Sequence, residues 1–456
     1  MNRFLIVTFY IYLLMILGTE GVFGASDSEY WPTWRGPQAT GATKEGNPPI
    51  TWSETKNIKW KFKLPGEGSS SPIVWENKIF FLTAVSTGNK VATEAPQRQE
   101  QAQVSSNVRR GGGRRSGGMS QAPSAVHKFD LVCVDRKSGK TLWQKTAREE
   151  LPHEGHQPNG SFASYSPVTD GKYVWVNFGS YGVHCYDIDG NHKWNRDLGK
   201  MRIIMSFGEG SSPTLAGNSV IIVMDHEGES FIYALSKETG ETIWRKARDE
   251  ATSWATPLAV EVDGKIQIII SATNRIRSYD VGTGNVVWEC GGQTRNVIPS
   301  PVTGFGKVFC TSGFRGSALQ AIELGHTGDL TDSDAIKWQV KEGTPYVPSP
   351  LLYGDKLYIC SVNQAIISCY QANTGKANFV KQRLEGMGEI YASPVGVADR
   401  VYFVGRSGVT QVIKCSNELQ ILATNTLDDK FDASPAIVGD ELYLKGKQNF
   451  YCIARQ

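Results

Sequence analysis

Residues 433–444 read ASPAIVGDELYL, and residues 348–359 read PSPLLYGDKLYI. Both begin with Ser-Pro, continue with a short apolar stretch, turn at Gly-Asp and resume as an alternating strand. The pattern starts at eight places: Ser71-Pro72, Ser166-Pro167, Ser212-Pro213, Thr256-Pro257, Ser300-Pro301, Ser349-Pro350, Ser393-Pro394 and Ser434-Pro435. The prolines are 95, 46, 44, 44, 49, 44 and 41 residues apart. A period in the forties is the length of a four-stranded propeller blade.

Within a copy the order is constant. A first strand follows the proline, a Gly-Asp or Gly-Asn turn leads into a second, and a third ends near a Thr-Gly or Ser-Gly turn, as in CVDRKSGK from Cys133 and YDVGTGN from Tyr279. A fourth strand often carries tryptophan: Trp143, Trp194, Trp244, Trp288 and Trp338. Period-2 strands separated by tight turns read as antiparallel meanders. The last copy runs out after its third strand at Gln456, whereas residues 57–64, NIKWKFKL, are a fourth strand without a blade. The expected fold is all-β: an eight-bladed β-propeller of four-stranded antiparallel blades, its ring closed by this N-terminal strand completing the last blade. Closure removes open sheet edges.

Composition agrees. The chain has 456 residues, 48 glycines, 20 prolines, 12 tryptophans and 20% charged residues, with a net charge of +3. Glycine and aromatic richness at low charge favours a turn-rich β protein over a helical one. Residues 1–24 read as a signal peptide: Arg3, then the apolar run from Phe4 to Leu17, then the small-residue site around Gly24. Residues 25–456 are expected to form the single propeller, periplasmic or secreted, without a membrane span and monomeric. No cysteine stands near the cleavage site, so no lipid anchor is expected. Residues 86–127 lack periodicity and are Arg/Gly-rich, which predicts a disordered insertion in blade one. An exported protein meets little nucleic acid, so the basic insertion reads as solvated.

The motifs SP, GD-LY, C-D, TG and W resemble the repeat of the pyrroloquinoline-quinone-like (PQQ-like) propellers. That superfamily includes quinoprotein alcohol dehydrogenases and the propeller lipoprotein of outer-membrane barrel assembly. WPTWRGP from Trp31, PHEGHQPNGSFASYSPVTDG from Pro152 and GEGSSP from Gly208 resemble a planctomycete-type subgroup of exported PQQ-like repeat proteins. Such a fold does not by itself imply a function.

Strand reversal puts the loops entering each blade on one face, around a funnel. They carry Glu67, Glu209, Glu389 and Asp432, with Arg295, Trp254 and Tyr346 at similar offsets. The long loop before blade two adds His153, Glu154 and His156, which read as funnel rim; HEGH lacks the spacing of the helical zinc motif, and no metal is expected. These ten residues are the candidate ligand-binding set. GKT at Gly139–Thr141 is repeat grammar, since Val134 stands where a phosphate loop needs glycine. The eight cysteines include no CxxC, which argues against haem and zinc ribbons and leaves disulfide pairing open.

The sequence favours a binding or scaffold module that offers its funnel face to a protein, glycan or small ligand, with no cofactor and no catalysis of its own. The alternative, implied by the resemblance, is a PQQ-dependent dehydrogenase with calcium that oxidises an alcohol or sugar. A hydrolase or lyase built onto the ring is a third possibility. Against the dehydrogenase, the chain lacks an adjacent Cys-Cys pair, a cytochrome segment and long active-site insertions.

Overall fold

The computed structural model describes residues 30–90, 123–361 and 364–456. Residues 1–29, including the expected signal peptide, and residues 91–122 of the insertion lie outside them. The described strands form eight sheets, each built on a four-stranded antiparallel meander. In blade three, for example, Thr214–Ala216, Ser219–Met224, Ser230–Ser236 and Thr242–Arg248 follow one another from the axis outward. In blade eight, Ile58–Lys63 pairs antiparallel with Asn449–Ile453, Trp60 opposite Cys452, and so closes the ring. Among the described residues no helix is long and apolar enough to cross a membrane.

Both ends of the 86–127 stretch expected to be disordered are strand, over residues 86–90 and 125–127; residues 91–122 lie outside the described residues. In blade one the second strand, Lys78–Lys90, and the third, Ala125–Asp135, pair from Lys78–Asp135 out to Ser86–His127 and Lys90–Ala125. Alternating Val85, Thr87 and Asn89 support a strand that a composition argument passes over.

Two belts hold neighbouring blades together, and both explain the repeat grammar. The inner belt is made by the Ser or Thr of each Ser-Pro pair. Its hydroxyl accepts the backbone N–H of the corresponding residue one blade earlier: Ser71 to Ser166, Ser166 to Ser212, Ser212 to Thr256 and Thr256 to Ser300, at 2.8–3.1 Å. The series runs on through Ser300 to Ser349, Ser349 to Ser393 and Ser393 to Ser434, and Ser434 returns to Ser71, each at 2.9 Å. These hydroxyls satisfy N–H groups that the loop leaves without a ladder partner.

The outer belt uses the fourth-strand tryptophan. In all eight blades the pairing of third and fourth strands slips by one residue immediately before that Trp, or before Phe379 and Ala423 in blades six and seven. A bulge of this kind re-aims a side chain. Trp60, Trp143, Trp194, Trp244 and Trp338 lie against Gly139, Gly190, Gly240, Gly284 and Gly375 of the next blade, so closely that a Cβ there would stand 2.4–2.8 Å from the indole. Four of these indoles also donate their N–H to a carbonyl of that turn: Trp60 to Arg136, Trp194 to Lys237, Trp244 to Val281 and Trp338 to Ala372.

Residues 30–57 do not belong to the repeat. Tyr30–Trp31 adds a strand inside blade one, opposite Trp75 and Val74. The chain then crosses the axis: Pro32 accepts the Thr169 N–H, Thr40 that of Leu352 and Gly41 that of Gly396. Arg35 fixes the crossing by donating to the carbonyls of Thr40, Pro350 and Pro394 at 3.2, 2.7 and 2.9 Å. It meets no carboxylate among the described residues, and burial pulls its guanidinium down to about 9, so it stays charged at neutral pH. Gly41 is required here, because a side chain would collide with that guanidinium. This strap crosses the axis between two cavities, and its Trp34 lines both.

Candidate functional site

The funnel encloses about 280 Å³. All eight belt hydroxyls reach its lining, Trp34 of the strap forms its floor, and Phe207, Trp254, Tyr346 and Tyr391 line its wall. Gln157 and Asn159 come from the long loop before blade two and line the same cavity as Tyr391 of blade seven. That loop therefore contributes to the funnel wall. A second cavity of about 830 Å³ lies on the other side of the strap, against Leu215, Leu258 and Val260.

Of the ten candidate residues, Glu209, Trp254, Tyr346 and Asp432 line the cavity. Trp254 lines the cavity and is held by its indole N–H on the Gly208 carbonyl at 2.8 Å. Tyr346 stacks on Phe314, ring centroids 5.0 Å apart, and burial raises its hydroxyl pKa. Glu209 keeps some surface as a residue, yet its carboxylate is enclosed. Ser180 reaches it with N–H and hydroxyl at 2.9 and 2.5 Å, and the Tyr165 hydroxyl does so at 3.1 Å. Burial pushes this carboxyl up despite those bonds.

Asp432 is paired with Arg406 at 2.6 Å and Lys447 at 3.0 Å. Glu389 pairs with the same Arg406 at 2.8 Å, and the guanidinium also lies 4.0 Å from the centre of the Tyr391 ring. Two of the expected carboxylates are thus neutralised by one arginine on a second-to-third-strand turn. Glu67 is exposed on the rim, held through its backbone to Ala84. Arg295 is exposed too, bridging Phe314 through its backbone, and neither Glu67 nor Arg295 lines the cavity.

The histidine loop is fastened rather than open. His153 sits between the Tyr181 hydroxyl at 3.1 Å and the Met201 carbonyl at 2.8 Å. Glu154 accepts the Ile203 N–H at 3.0 Å, and His156 faces the Gln157 carbonyl at 2.7 Å with its ring against Phe162. No group of three potential metal ligands occurs among the described residues.

Sequence reasoning missed Trp34, Tyr391, Arg406 and Asn159. Trp34 and Asn159 lay in stretches singled out for their resemblance, but nothing periodic marks either as a lining residue. All eight cysteines are free, and burial raises their thiols.

PQQ is a polyanionic quinone held with calcium, and the funnel offers it little. Among the described residues no Lys, Arg or His lines the cavity, and both lining carboxylates are already engaged by protein donors. The residues present do not fit that group.

Eight four-stranded blades, closed by an N-terminal strand around a funnel that the strap crosses, form a propeller of the PQQ-like kind. The family model described as outer membrane protein assembly factor BamB matches residues 127–380, and the chain belongs to that family. Among solved structures, BamB from Moraxella catarrhalis is similar at 14% identity and a TM-score of 0.51, over 74% of this chain and 94% of that one. The computationally designed Ika8 protein matches at 14% identity and 0.50, over 74% and 98%. A quinohemoprotein alcohol dehydrogenase from Comamonas testosteroni matches at 12% identity and 0.44, over 95% and 82%. No curated protein matches the chain. At these identities the likeness is one of fold.

Proposed function

We propose that this chain is an exported binding module that holds a ligand or partner in its funnel, without chemistry of its own. The observation that carries this reading is the state of the funnel's ionisable groups. Glu209 is enclosed by Ser180 and Tyr165, and Asp432 is paired with Arg406 and Lys447. A general base needs a free carboxylate or imidazole within reach of substrate, and among the described residues the lining supplies neither. What it does supply is a concave, largely aromatic and hydroxylated surface, the kind of place where ligands are held. Membership in the BamB family supports a protein as one possible occupant, and the leader sequence supports export.

The competing reading is a PQQ-dependent dehydrogenase. Titration of the purified protein with PQQ and Ca²⁺ by calorimetry, followed by a dye-linked assay across alcohols and aldoses, separates the two. The expected result is no dye reduction. Stoichiometric binding with dye reduction, lost in Asp432→Ala, would establish the dehydrogenase and end the binding-module reading.

A further inference from the structure

We infer that the funnel receives a neutral polyhydroxylated ligand, a terminal sugar ring of a glycan. This rests on the binding-module reading and specifies its ligand class.

Charge comes first. Among the described residues an anionic ligand would meet Glu209 and Asp432 and no lining cation, while a cationic one would find both carboxylates already engaged. Moving a charged group into such a cavity costs its hydration without a partner to replace it. Neutral ligands alone avoid that cost.

Shape and hydrogen-bonding capacity narrow the class. Trp34 on the floor and Trp254 and Tyr391 on the wall are half-buried aromatics, and Trp254 has its only donor engaged. Ring faces suit the apolar C–H face of a pyranose. Around them stand the eight belt hydroxyls. Each accepts one backbone N–H, and a hydroxyl that accepts can still donate its own proton. Gln157 and Asn159 add amides, which both donate and accept. Aromatic faces ringed by neutral donors and acceptors match a sugar ring, which is apolar on its face and hydroxylated at its edge. At about 280 Å³ the space lies near the small end of ligand pockets, roughly 300–1,000 Å³, so one end unit enters rather than a chain.

The test is calorimetry and tryptophan fluorescence with cellotetraose, maltotetraose, xylotetraose and N-acetylchitotetraose, against trigalacturonate as the charged arm. We expect saturable binding and fluorescence quenching with at least one neutral oligosaccharide, and binding of trigalacturonate at least about tenfold weaker. Trp254→Ala, which loses one stacking face, should weaken binding roughly tenfold. Asn159→Ala, at an exposed position, should also weaken binding and keeps the test open if the tryptophan variant folds poorly. No saturable binding of any neutral sugar, trigalacturonate binding as tightly as the best neutral sugar, or unchanged binding in a folded Asn159→Ala and Trp254→Ala pair would each overturn the inference. None of these outcomes touches the binding-module reading, which falls only on dye reduction.

Discussion

At the scale of single residues, the inner belt makes a sharp prediction. Ser349→Ala removes the acceptor of the Ser300 N–H and leaves a buried donor unpaired. The expected loss is about 1–3 kcal/mol in chemical denaturation. Ser349→Thr should be nearly neutral, because Thr256 already fills the equivalent place in blade four and accepts the Ser212 N–H through its hydroxyl. Equal losses for Ala and Thr would show that packing, not the hydroxyl, matters there. His184 gives a second residue-scale expectation. Burial, reinforced by nearby His192 and Arg148 and opposed by the bond to the Tyr181 carbonyl, lowers it from 6.5 to about 4. Because the folded state disfavours the proton, the stability involved is complete above pH 6.5 and is lost as pH falls toward 4. Up to about 3 kcal/mol should disappear over that window, and His184→Asn should flatten the pH profile of the denaturation midpoint.

At the scale of elements, the outer belt separates contact from backbone strain. Gly240 has φ +70° with its missing Cβ 2.4 Å from Trp194, whereas Gly264 has φ +74° and nothing within 4 Å. Gly264→Ala should cost only the left-handed penalty of about 1–2 kcal/mol. Gly240→Ala should cost that plus displacement of the indole, so the urea midpoint should fall clearly further at an unchanged slope. Indistinguishable variants would remove the tryptophan contact as the reason for the Thr-Gly turn. These elements were legible in the sequence because Ser-Pro, the Gly turns and the tryptophans repeat at one period. The strap was not: WPTWRGP has no period, and its course is set by Arg35 bonds to Pro350 and Pro394, more than three hundred residues away. The funnel was half legible. Entering-loop offsets put Glu209 and Asp432 at the cavity, but Arg406, which neutralises Asp432 and Glu389, sits on a turn that those offsets do not address.

At the scale of the whole molecule, closure rests on Ile58–Lys63 beside Asn449–Ile453 and on Ser434 bonding back to Ser71. Deleting residues 30–64 removes both the strap and the closing strand, exposing a strand edge in blade eight. We expect the product to self-associate in light scattering coupled to size-exclusion chromatography and to lose its cooperative thermal transition. A monomer with the parent transition would refute closure by this strand. The placement also bears on how the protein is made. A ribosome delivers residue 58 long before residue 453, so the blade that seals the ring cannot form until residues 449–453 have emerged. Loop closure over such a distance is slow. Until then the growing chain carries an increasing number of blades in an open array with unpaired edges, a state that calls for chaperoning. A chain that stops short of residues 449–453 would stay unsealed, which gives quality control a structural mark by which to recognise it.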